Sequence, residues 1–130
     1  MTAEIDFNKS GGLVPAIIQD SRTGGVLMLG FMNAEALALT QRSGEVVFFS
    51  RSRNKLWKKG ESSGHVLKVL DLRIDCDADA LLIRVKPIGP GVCHEGYRSC
   101  FFRKLEGNGN SKIIERKTFS PEKVYAQEKK

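Results

Sequence analysis

The chain has 130 residues, of which 41% are hydrophobic and 28% are charged, as is ordinary for a globular domain. This length predicts one domain over residues 1–130, and no apolar run approaches the roughly 18 residues needed to cross a membrane. No secretory signal is recognisable, so we expect a cytoplasmic protein. Three cysteines are too few for a disulfide scaffold, and a formal net charge of +6 favours phosphates or other anions as partners.

The first predicted elements are two apolar runs, residues 13–19 and 26–31, separated by six turn-forming residues. This arrangement predicts a β-hairpin. Asn33 is placed to cap a helix that runs to Ser43, where Gly44 suits the end of the helix. Residues 45–51 are aromatic and β-branched and predict a strand. Residues 51–64 are polar, basic and punctuated by glycine, so we expect a long functional loop.

The second half of the chain predicts strands over residues 66–74 and 80–86, with an acidic segment between them. Residues 87–99 have an irregular composition. Short strands are predicted over residues 100–104 and 112–118, and Pro121 suits the first position of a short terminal helix. The predicted fold is therefore mainly β (α+β by content), a compact single domain with one clear helix. Its motif-bearing core spans about residues 12–103, and a tail of about residues 105–130 carries no motif.

The segment Asp75-Cys76-Asp77-Ala78-Asp79 interleaves three carboxylates with one thiol. In an extended strand, the carboxylates would share one face and Cys76 would lie on the other, whereas a turn would bring the carboxylates closer. An EF-hand is excluded, because the position of its bidentate glutamate falls on Lys86. Magnesium held by carboxylates and a substrate phosphate suits the cluster better. The alternative is that the three aspartates only decorate a turn.

Cys93 and Cys100 are the only other cysteines, and they lack the paired C-x-x-C spacing of a zinc ribbon. Three thiolates and one exchangeable water would form the open zinc site that catalysis requires. His94, adjacent to Cys93, is the candidate base. The alternative is burial of each cysteine as a small hydrophobic residue, which the polar neighbours of Cys76, Cys93 and Cys100 argue against.

Residues 50–65 concentrate guanidinium, ammonium and hydroxyl groups around one tryptophan. Such donors suit phosphate oxygens, although a solvated charged face is the alternative. Trp57 either stacks on a purine or fills the core beneath the loop, and His65 is expected to be structural. The candidate substrate-binding residues are Arg51, Arg53, Trp57, Lys59, Ser62 and Ser63.

Four segments together resemble the phosphoribosyl-AMP cyclohydrolases of histidine biosynthesis. They are Ser-Arg-Ser-Arg at 50–53, Leu-Trp-Lys-Lys-Gly-Glu-Ser-Ser-Gly-His at 56–65, Asp-Cys-Asp-Ala-Asp-Ala-Leu-Leu at 75–82 and Cys-His-Glu-Gly-Tyr-Arg-Ser-Cys-Phe at 93–101. Their combination, in this order, is far more specific than any one motif. Glu95 departs from the family pattern, where threonine is more common.

The resemblance implies hydrolytic opening of the adenine ring of 1-(5-phosphoribosyl)-AMP at the C6–N1 bond. The product is the formimino aminoimidazole carboxamide ribonucleotide. The resemblance also implies an intertwined homodimer with a shared zinc site, in which Cys76 comes from the opposite subunit. The implied metal ligands are Cys76, Cys93 and Cys100 for Zn²⁺, and Asp75, Asp77 and Asp79 for Mg²⁺. On this hypothesis zinc activates a water, His94 assists proton transfer, and magnesium with the basic segment orients the phosphates.

A competing hypothesis is a small basic nucleic-acid-binding module, in which zinc is structural and residues 51–59 contact backbone phosphates. The aspartate cluster argues against it, because three carboxylates repel phosphate unless a cation intervenes. A redox-responsive thiol protein is disfavoured by the absence of a C-x-x-C pair. We therefore expect a small-molecule substrate and no nucleic-acid or membrane partner.

Overall fold

The fold is known from a computed structural model, which describes residues 5–124. In chain order it contains a 3-10 turn (Asn8–Ser10), strands β1 (Val14–Asp20) and β2 (Val26–Met32), helix α1 (Ala34–Ser43), strands β3 (Val47–Ser50), β4 (Lys55–Lys58), β5 (Leu67–Ile74), β6 (Leu81–Pro87), β7 (Arg103–Leu105) and β8 (Ser111–Ile113), and helix α2 (Pro121–Val124). The prediction of a β-rich fold is confirmed. No helix among residues 5–124 is long and apolar enough to cross a membrane.

A four-stranded sheet in the order β2-β1-β6-β5 forms the centre of the protein. β1 and β2 form the predicted antiparallel hairpin, β6 runs parallel to β1, and β5 returns antiparallel to β6. Every second side chain of β1 is buried, from Val14 to Ile18, and β6 follows the same alternation. One face of these strands therefore carries the core.

Helix α1 covers this core, and its ends are those that the sequence predicts. The Asn33 side chain accepts a hydrogen bond from Ala36 N at 2.8 Å, and Gly44 ends the helix in the left-handed conformation with φ of 76°. Thr40, fully buried, donates to Ala36 O at 2.8 Å and accepts from Val47 N at 3.0 Å. The helix is thereby joined to the start of β3.

The prediction of one long loop over residues 51–64 is wrong in part, because β4 lies within it. β4 pairs antiparallel with β3, and Trp57 lies opposite Phe48 with ring centroids 5.2 Å apart. The turn between the strands passes through Asn54, which has a φ of 52°. Packing of Trp57 on the fully buried Phe48 outweighs the polar composition of the segment.

The two C-terminal strands are shorter than predicted. β7 begins at Arg103 rather than residue 100, because Cys100 N donates instead to Leu27 O of β2 at 2.7 Å. β8 ends at Ile113, and Thr118 bonds to the Pro90 carbonyl at 2.8 Å instead of continuing the strand. The predicted terminal helix is present as α2. Residues 125–130 of the predicted tail lie outside the described residues.

Gly30 on β2 faces the Phe48 ring so closely that an added Cβ would lie 2.5 Å from two ring carbons. Because the ring is fully buried, it cannot move aside freely. We expect Gly30→Ala to lower the free energy of unfolding by about 1–3 kcal/mol, measured by urea titration.

Gly107→Ala is the matched control, since nothing lies within 4 Å of a Cβ at this position. It should change stability by less than about 1 kcal/mol. Equal stability of Gly30→Ala and the wild type would contradict the packing of Phe48 against Gly30.

Candidate active site

A pocket of about 320 Å³ lies beside β4 and the turn that follows it. Its walls include the candidate base and all but one of the predicted substrate-binding residues: Arg53, Trp57, Lys59, Ser62, Ser63 and His94. The exception is Arg51, whose guanidinium lies 3.9 Å from the centre of the Phe31 ring. Arg51 and Trp57 line a neighbouring depression, and Trp57 also lines the first pocket, so it forms a wall between the pocket and the depression. We call the first of these the tryptophan pocket.

Lys59 connects the tryptophan pocket to the segment that carries two of the three cysteines. Its side chain is buried, and Nζ donates a hydrogen bond to the Val92 carbonyl at 2.6 Å. Burial lowers the pKa of Lys59, and the nearby Cys100 and Cys93 thiol groups oppose the shift. A positively charged side chain therefore lies between the pocket and the thiols.

The Cys93 and Cys100 thiols lie close enough to influence each other electrostatically. Cys93 is buried, with 3% of its surface exposed. Desolvation and the neighbouring Cys93 raise the pKa of Cys100 to about 11, while the charge of Lys59 opposes the increase. A zinc ion binding here would displace the Cys100 proton. Two adjacent thiols fit part of a thiolate zinc site, which has four ligands.

Cys76 does not complete this pair. It is exposed, lies among the aspartates, and donates a weak hydrogen bond to Asp77 Oδ1 at 3.5 Å. Within residues 5–124, the three thiols form no common cluster of ligand atoms. One chain by itself thus brings together two of the three predicted zinc ligands.

The three aspartates do form a cluster, in which the ligand oxygens of Asp75, Asp77 and Asp79 all lie within 4.8 Å of one another. Of the two geometries considered from the sequence, the turn is the one adopted. Asp75 Oδ1 accepts hydrogen bonds from Asp79 N at 3.1 Å and Ala80 N at 3.2 Å, and Ala78 has a φ of 62°. The spacing fits oxygen ligands around one small divalent cation.

The N-terminal segment supports the aspartate turn, a contact that the sequence does not reveal. Lys9 Nζ donates to the Asp77 carbonyl at 2.6 Å and lies 4.0 Å from Asp79 Oδ2. Asp6 N donates to the Ala78 carbonyl at 2.7 Å. These partners lie about seventy positions apart in the chain, and no local pattern indicates them.

The two histidines occupy different surroundings. His94 is exposed and lines the tryptophan pocket. His65 Nδ1 lies 2.9 Å from the Gly91 carbonyl, and its ring packs edge-on against Phe119 at 4.9 Å. His65 therefore holds the segment before Cys93 in place, which is a structural role.

The segment between the two cysteines is fixed to the β1–β2 hairpin. Arg98 pairs with Asp20 at the end of β1, and Ser99 Oγ donates to the Val26 carbonyl at 2.8 Å. Together with the bond from Cys100 N to Leu27 O, these contacts anchor the C-terminal end of the segment. Asp20 is one of the six turn-forming residues between the first two predicted strands, and no local pattern indicates that it anchors a segment near residue 98.

Asp20 is almost completely buried, with 2% of its surface exposed. Desolvation by itself would raise its pKa. The hydrogen bond from Arg22 N and the charge of Arg98 outweigh that effect and hold the pKa of Asp20 below its ordinary value of 3.8. Asp20 is therefore an ionised carboxylate under a positively charged partner.

These features define a class of protein: a small β-rich domain in which a basic pocket adjoins paired thiols, with a separate carboxylate cluster. The family model described as phosphoribosyl-AMP cyclohydrolase matches residues 28–102. The chain is 54% identical over 122 residues to the phosphoribosyl-AMP cyclohydrolase of Desulforapulum autotrophicum, covering 94% of this chain and 98% of the relative. It is 55% identical over 121 residues to that of Solibacter usitatus, covering 93% and 95%.

The phosphoribosyl-AMP cyclohydrolase of Nitratidesulfovibrio vulgaris is 52% identical over 126 residues, covering 96% of this chain and 99% of the relative. The chain therefore belongs to the phosphoribosyl-AMP cyclohydrolase family, which is a family of hydrolases. The resemblance noted from four sequence segments is confirmed.

The Asp20–Arg98 pair yields a pH-dependent prediction. Because the folded-state pKa of Asp20 lies below 3.8, the pair stabilises the fold fully above that pH and is lost as the pH falls through the folded-state pKa. We expect Asp20→Asn to lower the free energy of unfolding by about 1–3 kcal/mol at pH 7. The difference from the wild type should shrink below about pH 4.

Urea titrations of metal-free protein between pH 7 and pH 3 measure this difference. Glu115→Gln, at an exposed position, removes the same charge and is the control. A difference between the wild type and Asp20→Asn that grows as the pH falls would contradict the assignment.

Proposed function

We propose that the chain catalyses the hydrolytic opening of the adenine ring of 1-(5-phosphoribosyl)-AMP at the C6–N1 bond, in histidine biosynthesis. The observation that carries the proposal is the position of Lys59, which lines the tryptophan pocket and donates a hydrogen bond to the carbonyl of Val92, the residue before Cys93. A basic pocket suited to a nucleotide thus adjoins thiols suited to a catalytic metal. Family membership supports this reading, and it leaves the nucleic-acid-binding alternative without support.

Zinc would be held by Cys93, Cys100 and the partner subunit's Cys76. Two observations support a split site: Cys93 and Cys100 are adjacent, while Cys76 is exposed and stands apart from them. An intertwined homodimer would bring the missing thiol to each pair. When bound, the ion supplies Lewis-acid activation of a water molecule.

The proton transfers are assigned to His94. Ring opening adds the oxygen of water to C6 and breaks the C6–N1 bond, whose electron pair goes to N1. Of the two protons of water, one goes to N1 and the other to the exocyclic imino nitrogen on C6, which becomes the carboxamide NH2. His94 lines the pocket, adjoins Cys93 in the chain and is exposed, so its imidazole can accept a proton from the water and pass one to N1.

The tryptophan pocket would bind the nucleotide. Trp57 packs on Phe48 and also lines the pocket, so it combines the two roles that the sequence leaves open: core packing and purine stacking. Arg53, Lys59, Ser62 and Ser63 supply donors for phosphate oxygens. Arg51, which lies over Phe31, would contribute a donor to the adjoining depression.

Magnesium would be held by Asp75, Asp77 and Asp79, whose oxygens already converge. The ion would neutralise the carboxylates and allow a substrate phosphate to approach them. Lys9, at the edge of this cluster, provides part of that positive charge within the chain.

The test is turnover of phosphoribosyl-AMP, followed by the ultraviolet change of ring opening. Because Cys93 is the buried member of the thiol pair, we expect Cys93→Ser to lose zinc and to reduce kcat by at least about 100-fold. Zinc is measured by elemental analysis of purified protein. Chelation of the wild type should have the same effect, and added zinc should restore the rate.

Lys112→Met, on the exposed β8 strand, is the control and should keep both zinc and rate. Full turnover by Cys93→Ser from which zinc has been removed would overturn the zinc assignment. Absence of any ring opening by zinc-loaded wild type would overturn the proposed function.

A further inference from the structure

A second cavity, also of about 320 Å³, lies beside residues 89–92 and Arg98, which flank Cys93 in the chain. Its walls include Asp20, Arg22, Lys86, Val92 and Arg98, which come from the end of β1, the β1–β2 turn, β6 and the segment around Cys93. We call it the arginine cavity. None of the predicted metal-binding, catalytic or substrate-binding residues lines it.

The arginine cavity carries a net positive charge. Among residues 5–124, Asp20 is the one carboxylate that lines it, and it already accepts hydrogen bonds from Arg98 and from Arg22 N. Within residues 5–124, no carboxylate lies at ion-pair distance from Arg22 or Lys86. Three cations thus surround a space that holds one already paired acid, which favours an anionic ligand.

Arg98 is held in a way that suits recognition of a phosphoryl group. Its Nη2 contacts the buried Asp20 and lies 3.5 Å from Thr23 Oγ1, and both of these contacts use the same nitrogen. The remaining donors of the guanidinium have no hydrogen-bond partner among the described residues. Anchoring by a buried carboxylate fixes the guanidinium before any ligand arrives, so less conformational entropy is lost on binding.

The two cavities differ in the chemistry of their walls. The tryptophan pocket offers an aromatic surface, whereas no aromatic side chain from the described part of the chain lines the arginine cavity. Gly91 forms part of the latter wall, and its packing leaves no room for a side chain, since a Cβ would lie 2.6 Å from Tyr97 O. Such a surface suits a sugar phosphate better than a purine.

The two cavities are linked by a hydrogen bond between a residue of each wall. Val92 lines the arginine cavity, and its carbonyl accepts the hydrogen bond of Lys59, which lines the tryptophan pocket. Cys93 follows directly. A ligand with a phosphate at each end suits two basic cavities that are linked through Val92 and Lys59.

We propose that the arginine cavity binds the phosphoribosyl group that the substrate carries on N1, while the tryptophan pocket binds the AMP half. The assignment of this group as the ligand rests on the proposed function. The cavity itself recognises a sugar phosphate through Arg22, Lys86 and Arg98.

The test compares two double variants that remove equal charge: Arg22→Met with Lys86→Met, and Lys104→Met with Lys112→Met on the exposed β7–β8 hairpin. Ribose 5-phosphate and AMP are each titrated into zinc-loaded protein by calorimetry. We expect the cavity variant to bind ribose 5-phosphate at least about tenfold more weakly, since two charge-assisted contacts are lost. The hairpin variant should bind it as the wild type does.

AMP affinity should be unchanged in both variants. For phosphoribosyl-AMP, KM of the cavity variant should rise at least about tenfold, with kcat within about twofold of the wild type. Three results would each overturn the proposal: equal weakening in both double variants, no binding of ribose 5-phosphate by the wild type, or a loss of AMP affinity as large as that of ribose 5-phosphate.

A different result would contradict the proposed function and not the sugar-phosphate site. In that case the wild type leaves phosphoribosyl-AMP unchanged, while ribose 5-phosphate binding still depends on Arg22 and Lys86. That result would leave the sugar-phosphate site supported and would contradict only the assignment of phosphoribosyl-AMP as the substrate.

Discussion

The placement of Lys59 close to Cys93 and Cys100 is the arrangement on which the rest of the site depends. It places the buried Cys93 and the exposed Cys100 near each other, with the buried side chain of Lys59 close to both thiols. An ammonium group is costly to bury unless it is hydrogen-bonded, and Lys59 Nζ donates a hydrogen bond to the Val92 carbonyl. Because the third thiol lies elsewhere, a single chain leaves the proposed zinc site incomplete. This incompleteness makes dimerisation part of the proposed catalytic mechanism rather than an addition to it.

The fold serves mainly to hold that segment. The β1–β2 hairpin anchors it through Asp20 and Leu27, His65 holds its beginning, and Thr118 bonds to the Pro90 carbonyl just before it. These contacts come from parts of the chain far apart in sequence, so the irregular backbone of residues 87–99 is fixed without regular secondary structure. The proposed division of the substrate between two cavities follows, because this one segment borders both.

The sequence predicts those elements whose causes are local. The alternation of β1 and the Asn33 cap act within a few residues, and both are found where expected. β4 is missed because its strand depends on Trp57 packing against Phe48, which composition does not show. The Asp20–Arg98 and Lys9–Asp77 contacts join residues 78 and 68 positions apart, so only the folded chain reveals them. The motifs do indicate which residues line the tryptophan pocket, because most of them lie on one short segment around β4.

The shared zinc site is tested most directly by subunit complementation between Cys76→Ser and Cys93→Ser proteins, each inactive by itself. After denaturation, mixing in equal amounts and refolding with zinc, half of the dimers should be mixed, and each mixed dimer should contain one intact site of two. We expect turnover of phosphoribosyl-AMP to return to roughly a quarter of the wild-type rate. Activity no greater than that of either parent, in a mixture shown by mass spectrometry to contain mixed dimers, would contradict it.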